Sequence, residues 1–225
     1  MLKRHVLMTS LASMSLQAVA AVAGATALPS PLAQQAPLTV RVNGIAMQVR
    51  TARVDTPAES LAEAILKAWR DAGNAGLRFE PDEDRTILGR QRGPVHETVT
   101  LLPTDDPRST TVVHAANDTR QTPSTAATPP FQLPRGLKVV QTIEALSGTT
   151  PTTTFILESE LHPVETIERL RLAILEARWI LTSRVNGIER SAMLTAARAK
   201  QELIVIASNR KGATRVTLEL TGHAP

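Results

Sequence analysis

From Leu38 the chain alternates apolar and polar positions. LTVRV and IAMQVRTARV flank Asn43-Gly44, a pair suited to a tight hairpin turn, and so predict two antiparallel strands. The period then lengthens. Between Thr56 and Gly73, Leu61, Ala62, Ala64, Ile65, Leu66, Ala68, Trp69 and Ala72 share one helical face, and Glu59, Ser60, Glu63, Lys67, Arg70 and Asp71 fill the other. Thr56 at the N-cap, Pro57 at the first turn and Glu59 three residues on make a capping box, and Gly73 suits a left-handed stop. TILGRQR, HETVTLL and STTVVHA follow as three strand candidates. Leu77–Glu80 and the acidic PDEDR loop read either way.

The same grammar returns. GLKVVQTIEAL and TTTFILESEL flank Ser147-Gly148, and His162 and Pro163 open a second helix from His162 to Thr182. Its AILEARW echoes the AILKAW of the first. After a turn at Asn186-Gly187 come SAMLTAAR, ELIVIAS and ATRVTLEL; the first of these suits a helix too, but the position of TILGRQR in the first unit favours a strand. Matching start, middle and Trp predict a duplication, with Trp69 and Trp179 at equivalent positions. The expected fold class is α+β: two tandem modules, each an antiparallel sheet with one amphipathic helix in the order β-β-α-β-β-β. The predicted organisation is an export signal at 1–27, an exposed leader at 28–37, modules at 38–115 and 135–223, and a Pro/Thr-rich linker at 116–134.

The second helix carries two apolar sides. Ile167, Leu170, Ile174, Ala177 and Leu181 form one, Leu172, Leu175 and Trp179 another, with Arg171 and Arg178 between. One side must face its own sheet. Either Leu172, Leu175 and Trp179 then form a partner interface, or Arg178 shifts the register at the helix end and Trp179 joins the core.

Composition changes the picture at two points. Lys3, Arg4 and His5 precede an apolar run that ends in Ala25-Thr26-Ala27, the layout of a signal peptide cleaved near Ala27; Ala20 and Ala23 offer competing ends. An uncleaved anchor is the alternative, against which Thr9, Ser10, Ser13, Ser15 and Gln17 count. The absence of Cys excludes lipid attachment through a thiol and any disulfide framework. The balance of 25 Lys and Arg against 21 Asp and Glu becomes 23 against 21 without Lys3 and Arg4. The isoelectric point near 10.1 therefore reflects the lack of Tyr and Cys, not a basic surface, and no nucleic-acid partner is expected.

Candidate chemistry is sparse. His96 and His114 would come nearly opposite if their strands pair about Asp105-Asp106, and with Glu97 could hold a metal; alternation puts Glu97 on the other face from His96, and no third ligand is evident. Asp82, Glu83 and Asp84 lack the spacing of a calcium loop. His162 and Glu165 are accounted for by helix capping. Ser208 and Lys211 match S-x-x-K, but in an expected turn and without companion motifs. No catalytic, cofactor-binding or metal residue is therefore assigned, and no cofactor. The expected function is that of a non-catalytic periplasmic or secreted protein whose modules dock an envelope partner or a second copy, as a component of an envelope or secretion assembly. The alternative is a periplasmic enzyme or small-ligand binder with its site between the modules.

Overall fold

The computed structural model describes residues 28–74, 76–82, 84–147, 150–186, 191–210 and 212–222. The expected signal at 1–27 lies outside the described residues, as do Glu83 of the acidic loop, Gly148 and Gly187 of two expected turns, and Lys211.

The elements are α1 (Ser30–Ala33), β1 (Leu38–Val42), β2 (Ile45–Val54), α2 (Ala58–Asp71), β3 (Arg78–Asp82), β4 (Arg85–Arg92), β5 (Val95–Pro103) and β6 (Thr110–Asp118). They continue as β7 (Leu137–Ser147), β8 (Thr150–Ser159), α3 (Pro163–Glu176), β9 (Ile180–Asn186), β10 (Ser191–Arg198), β11 (Gln201–Arg210) and β12 (Ala213–Thr221). All twelve strands belong to one antiparallel sheet, in the order β3-β4-β5-β6-β2-β1-β7-β8-β12-β11-β10-β9. This corrects the expectation of two separate modules, each with its own sheet and one helix. The sheets merge because β1 and β7, which would otherwise be open edges, pair with each other through Val40 and Ala145, Arg41 and Glu144, and Val42 and Ile143. The turn of the first hairpin strengthens this seam: the Asn43 N–H donates to the Thr142 carbonyl at 2.8 Å, and Asn43 Oδ1 accepts from the Thr142 N–H at 2.8 Å.

Read outward from the seam, the order is β1-β2-β6-β5-β4-β3 on one side and β7-β8-β12-β11-β10-β9 on the other, so the elements correspond one to one. Each half has four strands after its helix where three were expected. β3 was hidden by its charges and Pro81, and β9 by the apolar Ile180 and Leu181, which extend a helical period as well as they open a strand.

The halves keep separate cores. In the first, Leu61, Ile65 and Trp69 of α2 cover Leu88, Val99, Leu101 and Val112; in the second, Ile167, Leu170 and Ile174 of α3 cover Leu194, Val205 and Leu218. Each core is closed by the segment ahead of its first strand. Leu32, in the stretch expected as an exposed leader, is fully buried in the first core, and Phe131, in the expected linker, is buried in the second. Residues 116–118 of that linker belong to β6. Beyond them the Ser124 N–H donates to the Gly44 carbonyl at 2.9 Å, and a Cβ on Gly44 would run into the Ser124 carbonyl, so the hairpin tip needs glycine for space as well as for its φ of 84°.

The helix ends set the correspondence of the halves. α2 begins at Ala58 with Pro57 at its N-cap and no side-chain cap, so the capping box expected at Thr56 is not formed; the Thr56 carbonyl instead accepts from Thr110 Oγ1 at 2.7 Å. At the other end Gly73 takes φ 73° and donates to the Arg70 carbonyl at 2.8 Å, while Asn74 donates to the Trp69 carbonyl at 3.2 Å, which is a Schellman motif. α3 ends the same way without a glycine. Arg178 takes φ 61° and donates to Leu175 at 2.9 Å, and Trp179 donates to Ile174 at 3.1 Å. Registered by these caps, Gly73 matches Arg178 and Trp69 matches Ile174. The expectation that Trp69 and Trp179 are equivalent is corrected: Trp179 lies just past its helix, at the place of Asn74.

Candidate functional site

Two places depart from what a sheet covered by a helix requires. The first lies inside the first core. Arg90 of β4 and Glu97 of β5 are register partners, both about 3% exposed, on the face that carries Leu88 and Val99. Arg90 Nε donates to Glu97 Oε2 at 2.6 Å, and Arg92 Nη2 lies 3.5 Å from Glu97 Oε1. The Arg90 guanidinium sits 4.6 Å from the centre of the Trp69 ring. His114 of β6 opens onto the same face, is 2% exposed, and neither ring nitrogen has a hydrogen-bond partner in the protein.

The second half shows what this position looks like without charge. Register places Ala196, Leu203 and Leu218 where the first half has Arg90, Glu97 and His114. The second half has its own stack, displaced toward the helix C-terminus: Arg198 lies 4.6 Å from the centre of the Trp179 ring, and its Nη1 donates to the Ala177 carbonyl at 3.3 Å. A cation at a helix C-terminus is favourably placed. Sequence reasoning passed over both stacks. A signal was present, since Arg90 and Glu97 sit at positions where alternation with Leu88, Val99 and Leu101 demands an apolar residue.

Burial pushes the His114 imidazole below its usual pKa; Glu97 opposes the shift, and Arg50 and Arg90 add to it. The folded chain therefore refuses a proton that the unfolded chain accepts below about pH 6.5. This part of the stability is complete above that pH and is lost as the pH falls, with a slope of up to about 1.4 kcal/mol per unit. Urea denaturation from pH 7 to pH 5 is expected to show a steeper loss for the wild type than for His114→Leu. Equal slopes would mean that His114 titrates alike in both states.

The paired histidines of the sequence reading are not brought together. His96 pairs in register with Asn117 and His114 with Val99, on opposite faces of the sheet, and Glu97 lies on the face of His114. Among the described residues no group of three or more His, Asp or Glu could hold a metal ion. His162 caps α3, its Nδ1 accepting from the Val164 N–H at 3.4 Å, and Glu165 pairs with Arg169 at 2.9 Å. Asp82 lies in β3 opposite Arg85, and Ser208 lies within β11 opposite Arg215. Two shallow depressions, of about 340 and 320 Å³, border Lys138, Glu158 and Glu160 in one case and Thr182, Thr195 and Glu202 in the other; neither lies at the β1–β7 seam.

The chain matches no protein-family model, no curated protein and no solved structure.

The second departure is on the surface. Leu172 is 54% and Leu175 41% exposed, whereas Trp179 is 2% exposed. Trp179 thus leaves the expected three-residue stripe, turned into the core by the left-handed Arg178. Glu168 Oε1 meets Arg184 Nη2 of β9 at 2.5 Å, and Leu172 and Leu175 follow on the same side of α3, so they overhang the β9 edge. From the opposite face of that edge project Ile180, 72% exposed, and Val185, 54% exposed, aligned with Ala197 and Met193. At three of these four positions the first half is polar: Lys67 and Arg70 stand for Leu172 and Leu175, and Glu80 for Val185; its own exposed apolar side chain at the corresponding edge is Phe79 of β3.

Proposed function

We propose that this chain is a non-catalytic exported protein that works by docking other proteins in an envelope or secretion assembly. The observation that carries the reading is the apolar flank of Leu172, Leu175, Ile180 and Val185, set beside the more polar flank of the other half, where Lys67, Arg70 and Glu80 stand and Phe79 is exposed. Two halves of the same fold face the same solvent and need the same core, so a difference confined to exposed positions is not required for folding. Export is supported by the basic start, apolar run and A-x-A end of residues 1–27. Among the described residues no helix is long and apolar enough to cross a membrane. The buried cluster supports no rival catalytic reading, because Glu97 is already paired with two arginines and neither depression reaches it.

The test is site-specific photo-crosslinking in the native host, with the probe at Leu172 or Leu175 and, as control, at Lys67. A discrete protein adduct is expected from the first two positions and not from the third. If no adduct forms at either leucine, with this chain itself counted among the possible partners, the docking reading is wrong.

A further inference from the structure

The two ends of the sheet are built differently. The β3 edge holds an exposed Phe79, but it also presents Arg78, Glu80 and Pro81, and a proline cannot donate to a neighbouring strand, so pairing is blocked at this edge. β9 presents Ser183, Val185 and Asn186 at the register positions of those three residues. A bulge opposite Thr195 and Ala196 disturbs only the start of β9, and Ser183 to Asn186 keep regular pairing on their inner side. Among the described residues no strand lies on the outer side of this segment, which has Val185 on one face of the sheet, while Leu172 and Leu175 lie on the other face toward the start of β9.

We propose that the occupant of this edge is a second copy of the chain, its β9 pairing antiparallel with the first β9 about a two-fold axis normal to the sheet. This rests on the docking reading above and names its partner. Two observations select a second copy. The molecule already joins its two halves by antiparallel pairing of equivalent edges, β1 with β7, across only three residue pairs. The closed β3 edge prevents head-to-tail growth through β9 and β3, which leaves the isologous pairing, and that stops at two. Pairing would continue the sheet through the axis with all helices on one face.

The experiment is sedimentation equilibrium on the protein with its signal removed, across the micromolar range, on the wild type and two variants that carry the residues of the first half. One variant is Ser183→Arg with Val185→Glu, the other Leu172→Lys with Leu175→Arg. A dimer is expected for the wild type, with the dissociation constant raised about thirtyfold or more in the β9 variant and measurably in the α3 variant. Circular dichroism establishes that each variant is folded; the α3 substitutions fall on exposed positions, so that variant decides the matter if the β9 variant does not fold. A wild type that stays monomeric overturns the proposal, and so does a dimer indifferent to the substitutions. In either case a foreign adduct in the crosslinking experiment would leave the docking reading standing and give the edge to another protein.

Discussion

Trp179→Ala is expected to lower the free energy of unfolding by about 3–5 kcal/mol, the usual cost of emptying a tryptophan-sized site in a packed core. Trp69→Ala should cost a similar amount, since both rings are almost wholly buried and each lies against an arginine. Urea denaturation of the two variants and the wild type gives the comparison. A loss below about 1 kcal/mol for Trp179→Ala would place the ring outside the core and return it to the exposed stripe of Leu172 and Leu175. Arg198 makes the effect larger than area alone suggests. Its stack on Trp179 also aims it at the carbonyl end of α3, so removing the ring loosens a helix terminus along with the core.

Glu97→Leu alone is expected to destabilise the fold by about 3–5 kcal/mol, because it leaves the Arg90 guanidinium buried without its carboxylate. Replacing the whole cluster should behave differently. Arg90→Met, Glu97→Leu and His114→Leu together give the first half an uncharged interior like that of Ala196, Leu203 and Leu218. Substitutions of this kind are commonly neutral or stabilising by about 1–4 kcal/mol, since no ion has to leave water. Denaturation at pH 7 separates the outcomes. If the triple variant is as unstable as Glu97→Leu, the stack of Arg90 on Trp69 is required for packing in its own right. If Glu97→Leu is nearly neutral, water or rearranged side chains satisfy Arg90 and the pair is not what holds this core.

Much of the local structure was legible because it rests on neighbours in sequence. Asn43-Gly44 marks a hairpin by its own backbone preferences, and the face of Leu61, Ile65 and Trp69 shows in the 3.6-residue period. What failed to show depends on contacts distant along the chain. No pattern within LTVRV or GLKVVQTIEAL announces that these strands pair with each other, so the separate modules of the sequence reading became one sheet. Nor does Leu32 or Phe131 look like a core residue, each lying among prolines and polar residues in a stretch with no helical or strand period. The end of α3 was misplaced because its left-handed cap is Arg178, where the first helix advertises the same geometry with Gly73. That one misplacement hid β9 and left Trp179 open between the exposed stripe and the core; the structure takes the second course, with Arg178 turning the chain, and leaves Leu172 and Leu175 as the part of the expected interface that is exposed.

The seam between the halves has a consequence for the order in which the molecule can be completed. Residues up to Asp118 already hold every strand of the first half, its helix and its core, yet β1 has no outer neighbour until the chain has been made through Ile143 and Ala145. A growing or newly delivered chain therefore passes through a stage in which a finished half waits with Val40 and Val42 on a bare margin. The partner for that margin follows in the same polypeptide. Tethering keeps its local concentration high, and the intended neighbour arrives ahead of any stranger.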